Sequence, residues 1–269
     1  MSNSLLAVGV KLKAVSFKYP DQSSKFISSS ELILDCLSLE IQSGDFVSIL
    51  GPSGCGKSTF LRLLADLDQP QSGSLEFNNS DPKREIKRGF VFQEPRLLPW
   101  RTVLENVMLP LDLKMPSREV KKQARAQAVE ALSKVGLTHA ENYYPAQLSG
   151  GMKMRVSVAR ALISQPRLLL LDEPFSAIDE KTREELQADL RALWQTERMT
   201  VVFVTHSITE AVYLSNRVIV FSKAPARVVL DRKIELPVDR PRESLTDLAF
   251  RSEIKNIRNA LSSTEALDL

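Results

Sequence analysis

The chain has 269 residues, 43% of them hydrophobic and 26% charged, with a formal net charge of +3. That composition excludes a low-complexity polypeptide and suits one large α/β domain or two small ones. The charge is too small to argue for a nucleic-acid partner. Two cysteines, Cys36 and Cys55, form neither a disulfide framework nor a metal-binding spacing, which points to a reducing compartment. No window reaches about 18 uninterrupted apolar residues, so no membrane span is expected, and the N-terminus has no secretory pattern. Any membrane role must run through a partner.

In chain order, "KLKAVSFKYP" alternates and predicts a strand, followed by a Ser-rich surface loop over Asp21–Ser30. "CLSLEIQSGD" predicts a second strand ending in a turn, and "FVSIL" is the short continuous apolar run of a strand covered on both faces. "FLRLLADL" is helical, and "SGSLEF" and "RGFVFQ" read as strands. "SREVKKQARAQAVEALSKVG" predicts an amphipathic helix with Ser117 as N-cap and Gly136 as its stop. "SGGMKMRVSVARALIS" is a helix that Ser149 caps. "RLLLLDEP" and "TVVFVTH" are buried strands, and Ser207 with Glu210 fits a capping box. "RVIVFSK" is a further strand, and the tail after Pro241 reads as a final helix. The basic stretches "SREVKKQARAQ" and "RPRESLTDLAFRSEIKNIRNAL" read as solvated helix faces. Buried strands alternating with helices predict a mostly parallel sheet, interrupted by a mainly helical stretch from about 94 to 165.

Gly51, Gly56, Lys57 and Ser58 fit G-x-x-x-x-G-K-[ST] in "GPSGCGKST", after an apolar strand and before a helix. A polyphosphate needs many donors close together. Open backbone over Gly51, Pro52, Ser53, Gly54, Cys55 and Gly56 turns the N–H groups of all but Pro52 inward, and the following helix aims its positive end at the same place. Lys57 is suited to the β/γ-phosphates, Ser58 to Mg²⁺, and Thr59 continues the loop into the helix. Cys55, beside a lysine and a helix N-terminus, is a small filler whose thiol pKa these neighbours would lower. "LLLLDEP" places two carboxylates at a strand end: Asp172 suits Mg²⁺, directly or through water, and Glu173 suits polarisation of the attacking water.

"LSGGM" at Leu148–Met152, together with Gln93, "DEP", "SAID" and "VTH", resembles the ATPase subunit of ATP-binding-cassette (ABC) transporters, over Val15 to about Ala260. The resemblance implies a P-loop NTPase: an ABC ATPase core with a mostly parallel sheet, an antiparallel β-subdomain, and a helical subdomain (about 94–165) inserted in the RecA-like core. It implies one nucleotide-binding domain over residues 1–269, with a C-terminal helix at about 242–262. It implies ATP and Mg²⁺. Tyr19, with Phe17 as a rival, would stack on adenine. Gln93 would contact Mg²⁺ and the attacking water, and His206 would contact the γ-phosphate. Ser149, Gly150 and Gly151 would form a second anion nest that closes over the nucleotide of another copy in a head-to-tail dimer, with Asp179 at its seam. Met152 and Met154 stand where many relatives carry Gln, and Ile178 where Leu is commoner; none removes a phosphate donor.

"FVFQEPRLLPWRTVLENVMLPL", "LDEPFSAID" and "VTHSITEAVYLSNRVIVFS" are similar to importer ATPases of the nitrate, sulfonate and taurine group. That resemblance implies a peripheral subunit on the cytoplasmic face of a bacterial inner membrane. Two copies would serve two permease subunits and, indirectly, a periplasmic solute-binding protein, with no nucleic-acid partner. Leu97–Trp100 would line the groove for the permease's coupling helix, or pack internally. The alternatives are an exporter ATPase, a soluble ABC ATPase of DNA repair or translation, and a non-catalytic nucleotide-binding regulator. Long coiled-coil insertions or a second cassette would mark the soluble type, and intact Lys57, Glu173 and His206 argue against the regulator. The solute is not encoded in these motifs.

Overall fold

The computed structural model describes residues 7–19, 32–78, 86–113 and 118–265. The expected Asp21–Ser30 loop and the Ser117 N-cap lie outside the described residues. In chain order the first elements are β1 (Gly9–Phe17), β2 (Leu34–Ile41), β3 (Phe46–Leu50), α1 (Lys57–Leu64), β4 (Ser72–Asn78) and β5 (Arg88–Val91). Then come α2 (Val103–Asp112), α3 (Arg118–Lys134), α4 (Gly150–Leu162), β6 (Leu168–Asp172), α5 (Glu180–Glu197) and β7 (Thr200–Val204). The chain closes with α6 (Ile208–Leu214), β8 (Arg217–Phe221), β9 (Val228–Lys233) and α7 (Leu248–Glu265). The chain divides into two compact units, one from Val8–Pro82 with Thr200–Leu269, the other chiefly from Lys83–Met199.

The first unit holds two sheets. β1 lies between β2 and β4, antiparallel to both. β3 runs parallel to β7 on one side and to β8 on the other, and β9 closes that edge antiparallel to β8. Every residue of β3 and β7 is buried, which is why their apolar runs do not alternate. Phe60 of α1 meets Phe221 of β8 edge-on, with ring centroids 5.4 Å apart, and so seats the helix on the sheet. β1 is irregular between Leu12 and Phe17. Two serine hydroxyls fix that irregularity: Ser38 accepts from the Ala14 amide at 2.9 Å and Ser16 from the Cys36 amide at 3.0 Å.

The second unit pairs β5 parallel to β6 and places α2, α3 and α4 between them in sequence. Leu168–Leu171 of β6 are fully buried; a buried leucine contributes roughly 1.5–3 kcal/mol. α2 opens with a reciprocal cap: Thr102 Oγ1 accepts from the Glu105 amide at 3.3 Å, and Glu105 Oε2 accepts from the Thr102 amide at 2.8 Å. Parallel strands, an antiparallel sheet and a helical stretch between β5 and β6 are the arrangement the sequence led us to expect. β9 and α5 are additions to that reading. The final helix also starts later than about 242. A short 3-10 turn at Arg242–Thr246 comes first, and the extended backbone of Asp247 (φ −65°, ψ 148°) separates it from α7.

Candidate functional site

The phosphate loop runs from the end of β3 to the first turn of α1. Gly54 sits at φ +75° and Gly56 at φ +107°. At Gly56 an added Cβ would also lie 2.8 Å from the Ile33 side chain, so both conformation and space demand glycine. Lys57 is buried, and its ammonium donates to the carbonyls of Gly51 (2.9 Å) and Pro52 (2.8 Å), folding the lysine back over its own loop. Ser58 is exposed and Thr59 buried. Cys55 is 1% exposed. Burial pushes its thiol pKa up, and the Lys57 charge offsets only part of that. The lowered thiol pKa expected from helix and lysine is therefore overturned: desolvation wins because the sulfur faces the packed interior of the loop.

Tyr19 and Phe17 separate clearly. Phe17 is buried, whereas Tyr19 is 43% exposed. Tyr19 packs edge-on against Phe17 with centroids 5.0 Å apart, and its hydroxyl lies 3.4 Å from Thr59 Oγ1. Tyr19 thus offers an accessible ring tethered to the start of α1. His206 is exposed and sits between β7 and α6. The backbone after it is held by Thr205, whose hydroxyl accepts from the Ser207 amide at 3.0 Å and donates to Glu210 Oε2 at 2.5 Å. Only half of the expected capping box forms. Ser207 Oγ accepts from the Glu210 amide at 3.3 Å, but the Glu210 carboxylate turns to Thr205, whose hydroxyl has taken the Ser207 amide.

In the other unit, β6 delivers Asp172 and Glu173, both half-buried. Glu173 has φ +44°, a left-handed conformation that a residue with a Cβ adopts at a cost. Its carbonyl accepts twice, from the Ser176 amide at 3.2 Å and from Ser176 Oγ at 3.0 Å. Gln93 Nε2 donates to that same hydroxyl at 3.2 Å. Two residues after Gln93 the chain is clamped by α4: the half-buried Arg160 donates its guanidinium to the carbonyls of Pro95 (2.6 Å) and Arg96 (2.9 Å). Desolvation there lowers the Arg160 pKa from its ordinary value.

The loop continues to Leu97–Trp100. Asn106, fully buried in α2, fixes it by accepting from the Leu98 amide at 2.8 Å and donating to the carbonyls of Leu98, Arg101 and Thr102 at 3.0–3.1 Å. Trp100 stands 71% exposed at the tip, so internal packing does not account for it.

Ser149 is the N-cap of α4, its hydroxyl accepting from the Met152 amide at 3.2 Å. Gly150 is exposed, and an added Cβ there would meet nothing within 4 Å. Gly151 is buried, and a Cβ there would sit 2.3 Å from Thr182 Cγ2. Its absent side chain therefore serves a close approach between α4 and the first turn of α5. Asp179 caps α5, accepting from the Thr182 amide at 3.0 Å, and this bond holds the Asp179 carboxyl below its ordinary pKa. Ser176 opens the "SAID" segment but received no role in the sequence, and Arg160 and Asn106 went unnamed there; their partners are long-range or main-chain.

A glycine cradle with its lysine on one unit, and a strand ending in paired carboxylates on the other, define the class of P-loop nucleoside triphosphatases. The ABC transporter family model matches residues 34–176, and the chain belongs to that family. It is 46% identical over 226 residues to an uncharacterized ABC transporter ATP-binding protein of Methanocaldococcus jannaschii, covering 83% of each chain. It is 47% identical over 229 residues to the aliphatic sulfonates import ATP-binding protein SsuB of Pseudomonas fluorescens, covering 84% of this chain and 81% of that one. The SsuB of Bacillus licheniformis is 41% identical over 223 residues, 82% of this chain and 85% of the relative. Among solved structures, the dimeric ABC transporter cassette MJ0796 matches with TM-score 0.71 and 37% identity, over 85% of this chain and 100% of that one. A post-hydrolysis dimer of the same cassette, with ADP and Pi bound, matches with TM-score 0.70. The chain is accordingly an ATP-binding ATPase of the ABC family. No helix of the described residues is long and apolar enough to cross a membrane.

Proposed function

We propose that the chain is the ATPase subunit of an importer of the nitrate, sulfonate and taurine group, with aliphatic sulfonates as the leading solute class. The observation that carries this reading is the 40–48% identity to SsuB proteins over roughly four-fifths of the chain. In this reading two copies form a head-to-tail dimer with ATP held between them, as the dimeric cassette structures support. Two permease subunits bind on the cytoplasmic face of the inner membrane, and the exposed Trp100 loop is the surface offered to them.

Each residue then has a task. Lys57, with the loop amides of Ser53–Gly56, holds the β- and γ-phosphates; its ammonium is already placed over the loop by the Gly51 and Pro52 carbonyls. Tyr19 stacks on the base. Glu173 accepts the proton of the attacking water, and His206 contacts the γ-phosphate. Ser149, Gly150 and Gly151 supply helix-start donors to the nucleotide of the other copy, and Asp179 lies at that seam. Ser58 and Asp172 offer hard oxygen donors, and the Gln93 amide oxygen a third, a set that suits Mg²⁺ arriving with its nucleotide and neutralising charge there. ATP drives a cycle because it binds the closed dimer better than the open one.

The test is genetic and chemical. In the source organism, deletion of the gene should abolish uptake of a labelled alkanesulfonate, taurine or nitrate, restored by the wild-type chain but not by Lys57→Ala. Unchanged uptake of all three solutes overturns the importer assignment.

A further inference from the structure

We infer that Ser176 is a positioning residue for hydrolysis, its hydroxyl bridging the Gln93 side chain to the main chain of Glu173. The inference deepens the proposed reading, in which Glu173 activates water. The Ser176 oxygen accepts from Gln93 Nε2 at 3.2 Å and donates to the Glu173 carbonyl at 3.0 Å, so one hydroxyl is used in both directions.

Each end of the bridge has something to set. With its nitrogen committed to Ser176, the Gln93 amide keeps its carbonyl oxygen as the atom left to serve a cation or water. The backbone on the far side of Gln93 is already fixed by Arg160 through Pro95 and Arg96. What Ser176 adds is therefore the rotation of the amide itself. At the other end Glu173 sits at φ +44°, where a residue with a Cβ stays only if its surroundings hold it. The Ser176 amide and hydroxyl are two restraints on that carbonyl. Losing the hydroxyl leaves one restraint and frees the Gln93 amide in the same step. The Gln93 amide and the Glu173 main chain are thereby held together by a single hydroxyl.

The experiment is steady-state ATP hydrolysis by the full chain. Ser176→Ala removes one oxygen from a half-buried site and is expected to lower kcat about tenfold while KM for ATP stays within about twofold. Ser176→Thr keeps the hydroxyl and should recover most of the rate. Ser176→Cys keeps the volume with a weaker hydrogen bonder and should fall between. Combined with Gln93→Ala, the Ser176→Ala loss should be less than multiplicative, because both changes break the same bridge. A Ser176→Ala or Ser176→Cys enzyme at wild-type rate, a Thr variant no better than Ala, or losses that multiply would each overturn the bridge. Glu173→Gln run alongside separates the two ideas. Turnover persisting there overturns the base assignment and the bridge together; turnover lost there, with Ser176→Ala unaffected, overturns the bridge alone.

Discussion

Two glycine-rich segments, each opening a helix, look alike in the sequence and differ in physics. In "GPSGCGKST" the chain enters left-handed space at Gly54 and Gly56, and a buried lysine lies folded across the loop. In "LSGGM" neither glycine needs an unusual backbone. Gly150 faces open space, and Gly151 is required because Thr182 leaves no room for a methyl. The first segment is built by conformation, and its geometry is complete within a few residues. The second is built by packing against α5 and presents only the ordinary donors of a helix start plus one serine. A phosphate loop can therefore grip alone, whereas a helix start of this kind contributes when something else already holds the anion.

That division of labour can be broken by substitution. The largest effect is expected at Glu173→Gln, which should cut turnover by about 10²–10⁴-fold and leave ATP affinity intact, by hydrolysis and equilibrium binding assays. Parallel loss of binding would erase the distinction between gripping and turnover. Lys57→Ala should weaken nucleotide binding by about 10–100-fold, since a charge-assisted contact contributes about 1.5–3 kcal/mol; titration with a fluorescent ATP analogue reads it. Gly151→Ala should cost about 1–3 kcal/mol of stability through overpacking, measured by denaturant unfolding, and Thr182→Ser in the same chain should recover most of it. Recovery failing would mean that Gly151 serves conformation after all. The smallest effect is chemical. At neutral pH an alkylating reagent should modify exposed Cys36 well before Cys55, whose buried thiol holds its proton above the ordinary range. Raising the pH should narrow the gap as the Cys55 thiolate appears, followed by peptide mass spectrometry.

Much of this was legible beforehand because burial writes itself into composition. β3, β6 and β7 are continuous apolar runs, and the phosphate loop and "LDEP" are contiguous in sequence. β9 escaped because "VVLDRK" is a half-exposed edge strand with three charges. α5 escaped as a separate helix although Asp179 is a textually visible cap, since its mostly polar face blurs the periodicity. The Cys55 misreading has a plain cause: a nearby lysine and helix start are visible in sequence, and desolvation is not. Ser176 stands inside "SAID" and its Glu173 contact is local; what no local pattern spans is its bond to Gln93, 83 residues away, and that of Arg160 to Pro95, 65 residues away.

Trp100 has one further consequence. The chain has two tryptophans, and Trp194 is half-buried in α5 whereas Trp100 projects into solvent from a loop pinned by Asn106. Its indole emission should lie far to the red and be readily quenched by acrylamide. Any component that settles over that loop would shift the emission to the blue and shield it, so the protein carries its own optical gauge of docking, with no label attached.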